Sequence, residues 1–338
     1  MNAGTTVGRG DGTETGTGGG LGAMGARPAG ADGRGGPEVR TGVEPHADAA
    51  DGRSGPQART ATEPRTATEP RADARPSPGS RPVVGVSLKL YMGVAETRRW
   101  LAEVAELARE ATGGPGVELF VLPSFTSLAD ARELLAGTGV AYGAQDLHWA
   151  DSGPWTGEVS GGQLAELGAS YVEVGHAERR RHFGEDDGIV AAKTAAAVRR
   201  GLTPVICAGD STAGALDAAI TETLGQVDAA LSGDGAGSEV VVAYEPVWAI
   251  GADRPAPAAH VRAVTAAIRR RLAELGVRGR VIYGGTAGPG TYTELTAPDA
   301  EGVRAPLDGL FLGRLAHDTA NLRKVLAEVA SRPPAEAP

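Results

Sequence analysis

The chain has 338 residues, 41% hydrophobic and 22% charged, with a formal net charge of −9. A single cysteine, Cys207, excludes an internal disulfide and a metal site built from several thiolates. The acidic balance argues against a nucleic-acid footprint, and no run of about 18 apolar residues suggests a transmembrane helix.

Residues 1–80 hold 18 Gly and 8 Pro, no Phe, Trp or Tyr, and six Val, Leu, Ile or Met in all. Such a segment cannot bury enough apolar area to offset the entropy of ordering it, so a disordered low-complexity tail is predicted. The tandem RTATEP at Arg59–Pro64 and Arg65–Pro70 is a linker signature. Nine Arg against ten Asp plus Glu make the tail neither polybasic nor acid-poor, which argues against a membrane tail and a transit peptide. No apolar core of a secretory signal follows the start, so a cytoplasmic protein is expected. The folded region is predicted over 81–333, with 334–338 as a C-terminal tail. Its length, roughly 250 residues, is typical of an eight-fold β/α barrel.

The first strand is predicted at Val83–Ser87, followed by a helix at Thr97–Thr112 with Trp100, Val104 and Leu107 at helical spacing. Strands follow at Leu119–Leu122, Ala141–Ala144 and Tyr171–Val174, then a helix at Gly188–Arg200. Strands Thr203–Cys207 and Val240–Tyr244 precede a helix at Ala258–Leu275, which Gly276 stops. Val281–Tyr283 and Gly309–Leu312 complete the set. These runs are short, Val-rich and apolar on both faces, as parallel strands covered on two sides must be. Eight strands with intervening helices predict an α/β fold with right-handed crossovers, whose chemistry sits at the C-terminal strand ends.

Those ends carry the candidate residues. The first strand runs into Ser87-Leu88-Lys89, the fourth into Gly175-His176-Ala177-Glu178-Arg179-Arg180, and the sixth into Glu245-Pro246-Val247-Trp248. Taken singly, each has a bland reading: a solvated lysine, a structural histidine, a loop-starting glutamate. With only three Lys against 30 Arg, Lys89 is a mildly informative choice. Together they bring a cation, an imidazole and a carboxylate to one mouth. That set suits removal of a proton next to a carbonyl, with donors stabilising the enediolate. The six His show no metal-ligand spacing, and neither GxGxxG nor a P-loop is present, so no metal, nucleotide or other cofactor is implied.

The segment Gly143–Asp187, GAQDLHWADSGPWTGEVSGGQLAELGASYVEVGHAERRRHFGEDD, resembles the core of triosephosphate isomerase, and so does AYEPVWAIG at 243–251. The similarity runs over essentially all of 83–330 and implies a (β/α)8 TIM barrel. It implies Glu245 as the proton-shuttling base, His176 as a neutral electrophile and Lys89 as the fixed cation. Glu178 resembles the family's buried carboxylate near that lysine; an ion pair with Arg179 or Arg180 is the equal alternative. The resemblance implies a phosphate cradle from the backbone N–H groups of Gly251, Thr286, Gly313 and Arg314. It implies a lid over Ala249–Asp253 hinged at Pro246-Val247-Trp248. It also implies a homodimer through the Gly153–Ser160 loop, with Thr156 reaching towards the partner, and a place in glycolysis and gluconeogenesis.

Several positions depart from the family pattern. Ser87 stands where the family has Asn, Ala177 where it has Ser, and Gly313-Arg314 where it has a glycine pair. The lid's second half reads Ala252-Asp253-Arg254-Pro255-Ala256 rather than ending Lys-Thr-Ala. These changes spare Glu245 and His176 but alter the walls. The leading expectation is therefore interconversion of glyceraldehyde 3-phosphate and dihydroxyacetone phosphate. The second is a four-carbon ketose phosphate such as L-erythrulose 1-phosphate, whose extra hydroxymethylene would use the room that Ser87 opens. A catalytically silent barrel acting as a scaffold is the remote third.

Overall fold

The computed structural model describes residues 81–110, 116–233, 239–252 and 255–331. The predicted tails at 1–80 and 334–338, the end of the first helix at Thr112, and Asp253 and Arg254 of the lid lie outside the described residues.

Eight parallel strands close into a barrel in sequence order: β1 Val83–Ser87, β2 Glu118–Leu122, β3 Ala141–Ala144, β4 Tyr171–Val174, β5 Thr203–Ala208, β6 Glu239–Tyr244, β7 Arg278–Tyr283 and β8 Gly309–Leu312. Closure is made by β8 against β1, from Val83 opposite Gly309 to Val86 opposite Leu312. Among the described residues the helices are α1 Val94–Glu110, α2 Leu128–Leu134, α3 Gly161–Glu166, α4 Ala177–Phe183, α5 Asp187–Arg199, α6 Leu216–Ala230, α7 Ala258–Glu274, α8 Thr291–Leu295 and α9 Thr319–Ala330.

Alternation along each strand sorts side chains into two cores. Inward-facing Val83, Phe120, Leu122, Tyr171, Val205, Val241, Ile282 and Phe311 fill the barrel. Their neighbours pack outward against the helices, where α1 buries Trp100, Leu101, Val104 and Leu107. The Trp100 indole N–H donates to the Ala316 carbonyl at 2.9 Å, tying α1 to the loop after β8. α7 ends as predicted, with Gly276 in the left-handed region at φ +65°.

Strand starts were the harder part to read. β7 begins three residues before the predicted Val281 because Arg280 turns inward at the N-terminal end of the barrel. There its guanidinium donates to Glu118 Oε2 at 2.6 Å and to the Tyr171 hydroxyl at 2.8 Å, and Glu239 Oε1 lies 3.2 Å away. A paired polar layer thus floors the barrel, and polar strand starts leave no apolar run to detect.

Candidate active site

Ser87, Lys89, His176, Glu178, Glu245, Gly251, Thr286, Gly313 and Arg314 all line one cavity of about 520 Å³ at the C-terminal mouth. That volume suits a small phosphorylated sugar.

Glu245 stands one step past β6, where its N–H donates to the Ala208 carbonyl at 2.9 Å. Its side chain lies over Gly284, where a Cβ would come within 2.7 Å of the glutamate Cγ; the glycine makes the room. Glu245 Oε2 is buried without a hydrogen-bond partner among the described residues, 3.5 Å from His176 Nε2. Burial, and then the charge of Glu173, push the Glu245 carboxyl up to about 8.

His176 caps α4, and its Nδ1 accepts the Glu178 N–H at 3.1 Å. The proton of the neutral ring is therefore on Nε2, facing the mouth. Burial first, and then the Lys89 cation, bring the imidazole down to about 4. Desolvation is the larger cause of the neutral ring.

Lys89 adopts φ +49°, a strained value for a side-chain-bearing residue. Gln145 Nε2 fixes the turn by donating to the carbonyls of Lys89 at 3.1 Å and Leu122 at 2.9 Å. Lys89 Nζ donates to Glu178 Oε1 at 2.8 Å. Burial alone would lower the lysine, but that bond and the charges of Glu245, Glu178 and Glu173 outweigh it, and the net shift is upward. Glu178 thus pairs with Lys89, but its side chain is half exposed rather than buried as expected. Arg179 pairs instead with Asp146 at 2.8 Å and Glu185 at 2.6 Å, and Arg180 with Asp187 at 2.6 Å.

Hydrogen bonds hold the loop after β6 at Trp248 and at Ala256. Trp248 Nε1 donates to Asp210 Oδ2 at 2.7 Å, and the Tyr244 hydroxyl to Asp210 Oδ1 at 2.6 Å. The Ala256 N–H donates to the Tyr283 hydroxyl at 2.9 Å. Thr286 differs from expectation: its N–H (3.3 Å) and its hydroxyl (2.8 Å) both donate to the Ala249 carbonyl. It holds the turn at Ala249 rather than presenting that N–H to the mouth. The Arg314 guanidinium sits over the Tyr91 ring at 5.4 Å.

Sequence reasoning missed Glu173, Asp210, Gln145 and Tyr91. Glu173 carried a signal, since a glutamate in the middle of the strand YVEV contradicts a run apolar on both faces. It is 3% exposed, and its Oε2 accepts the Ser87 hydroxyl at 2.8 Å. Burial pushes it up to about 7. Among the described residues no group of three or more His, Cys, Asp or Glu could hold a metal ion, and no helix is long and apolar enough to cross a membrane.

The family model for triosephosphate isomerase matches residues 82–329. The chain belongs to the triosephosphate isomerase family. It is an enzyme, an isomerase of sugar phosphates. The L-erythrulose-1-phosphate isomerase of Pectobacterium atrosepticum is 47% identical over 252 residues, covering 72% of this chain and 94% of that protein. The protein of the same name from Brucella abortus is 40% identical over 256 residues, covering 74% and 96%. A crystal structure of triosephosphate isomerase from Bartonella henselae superposes with a TM-score of 0.62 at 28% identity, covering 75% of this chain and all of that one.

Proposed function

We propose that the enzyme isomerises a four-carbon ketose phosphate, L-erythrulose 1-phosphate, by proton transfer through an enediolate. The relatives named for that substrate at 47% and 40% identity favour it over the triose reaction that the sequence motifs put first. The observation that carries the chemistry is the unpartnered, buried Glu245 Oε2 at 3.5 Å from His176 Nε2.

The phosphate binds against Gly251, Gly313 and Arg314. Glu245 removes the proton from carbon 3 while the His176 Nε2–H and the Lys89 ammonium hold the carbon-2 oxygen as it gains charge. The proton returns to carbon 2, and the carbonyl moves to carbon 3. With three carbons this shift joins a ketose to an aldose. With four it gives a second ketose, erythrulose 4-phosphate, because carbon 3 still carries the terminal hydroxymethyl group. The substrate lies outside triose interconversion, and so does the sugar route that uses it. Side-by-side kcat/KM values for L-erythrulose 1-phosphate and dihydroxyacetone phosphate test the reading. A four-carbon preference of about 100-fold or more is expected, and equal or better triose turnover overturns it.

A chain lacking residues 1–80 should keep its kcat/KM. A homodimer through Gly153–Ser160 is supported by exposed Trp155, whose ring packs 4.4 Å from that of His148. Sedimentation of Trp155→Ser against the parent tests it, with dissociation expected.

A further inference from the structure

The proton transfer above gives Glu173 no part, yet this carboxylate lies beneath the centre of the site. It is the third residue of β4 and points into an interior otherwise built from Leu122, Val205, Cys207 and Ala243. A buried carboxylate is costly there, and an apolar side chain would fill the position without that cost.

Its contacts suggest what it does. The Ser87 hydroxyl donates to Glu173 Oε2 at 2.8 Å, while Oε1 lies 3.7 Å from Cys207 Sγ and 4.0 Å from His176 Nε2. A serine hydroxyl has one proton to give. While Glu173 is ionised that proton is committed to it, and Ser87 turns only lone pairs towards the cavity it lines. Glu173 therefore sets the polarity of Ser87 as seen by a substrate: an acceptor, and not a donor.

The position fits a particular part of the substrate. In the closed ring β4 lies diametrically across from β8, the strand that leads into Gly313 and Arg314. Ser87, at the end of β1 next to β8, reaches inward to Glu173 on β4, whose Oε1 is 4.0 Å from His176 Nε2, so its hydroxyl lies beside the reacting carbons of a molecule whose phosphate is held at the β8 side. A four-carbon ketose phosphate carries a hydroxymethyl group on its distal reacting carbon, where a triose has hydrogen. The O–H of that group needs an acceptor once water is excluded.

We propose that Glu173, acting through Ser87, is a specificity-determining positioning residue: it holds Ser87 as the acceptor for the terminal hydroxyl of the four-carbon substrate. This rests on the four-carbon reading above.

The test uses the full chain, with kcat/KM for L-erythrulose 1-phosphate and dihydroxyacetone phosphate in parallel. Glu173→Leu should lower the four-carbon value by about 10- to 100-fold and the triose value by less than about 3-fold. Glu173→Gln keeps an oxygen to accept the Ser87 proton and should restore most of the loss. Ser87→Ala should reproduce the selective loss, and adding it to Glu173→Leu should cost nothing further. Thermal unfolding of Glu173→Leu should be unchanged or raised, because a buried ionisable group has gone. A uniform loss on both substrates, additive losses, or a lowered melting temperature with no change in preference overturns the inference. Should Glu173→Leu not fold, Ser87→Ala decides from the other end of the hydrogen bond: an unchanged preference overturns the inference. A wild-type preference for the triose would instead sink the four-carbon reading before any variant is compared, and the inference with it.

Discussion

Lys193 and Glu245 are both ionisable and both almost wholly buried, at 3% and 4% exposure, yet their surroundings treat them in opposite ways. Lys193 Nζ meets Asp146 at 2.6 and 2.8 Å and Glu185 at 2.6 Å, and Arg179 completes a set of two cations on two carboxylates. Glu245 has beside it a second carboxylate, Glu173, and a neutral imidazole, and the nearest cation, Lys89, is bonded to Glu178. Compensated charge fixes the start of α5 against the barrel. Uncompensated charge stores basicity where a proton must be taken from carbon. The difference marks which buried charges serve the architecture and which serve the reaction.

The sharpest way to break this contrast is Glu245→Gln. Removing the base while keeping its shape should lower kcat/KM on the order of 10³-fold or more with little change in KM. The melting temperature should hold or rise, since a carboxylate without a partner is lost. Activity near wild type would mean that Glu245 is not the base. Lys193→Met should do the reverse. It strands Asp146 and Glu185 without their shared cation, at a cost of about 3–5 kcal/mol in unfolding free energy measured with urea. Turnover per folded molecule should stay within a few-fold.

The pH dependence sharpens the contrast further. Glu173 and Glu245 are raised to about 7 and about 8 from an ordinary 4.5, so between these values the folded state binds more protons than the unfolded one. Their contribution to stability is therefore full below pH 4.5 and lost as pH rises through 7 and 8. His176, lowered to about 4 from 6.5, has the opposite slope and is neutral in both states above that range. Urea unfolding should thus show stability falling from about pH 4.5, most steeply between about 6.5 and 7 once His176 no longer opposes it, and levelling off above about 8, with Glu245→Gln flattening the fall. Activity has the opposite sign: kcat/KM should rise as Glu245 ionises. Glu173→Gln removes a neighbouring negative charge, so it should move that rise to lower pH. An unmoved profile would mean that the two carboxylates do not interact.

How much of this was legible in the sequence depended on what each residue had to satisfy. The strands could be read because both faces of β1 and β8 are buried, which forces largely apolar runs such as VVGVS and GLFL. The N-terminal ends of β2, β6 and β7 could not, because Glu118 and Glu239 both pair with Arg280, and no local pattern records a partner on another strand. His176 and Glu245 were readable from motif and position. Their tuning was not, since it depends on Glu173, which looks like one polar residue in a short strand until the fold sets it beside Ser87.

Arg314 offers the smallest effect and the finest distinction. Its guanidinium lies at the rim over Tyr91, exposed to solvent, so its attraction for a phosphate is screened and the stacking contributes little. Arg314→Ala should raise KM by about 3- to 10-fold and leave kcat within about twofold, because a charge that touches only the phosphate binds ground state and transition state alike. The increase should shrink with added salt. A fall in kcat without a change in KM would instead place the guanidinium's influence at the reacting carbons, across the mouth from where the contrast between paired and unpaired charge puts the chemistry.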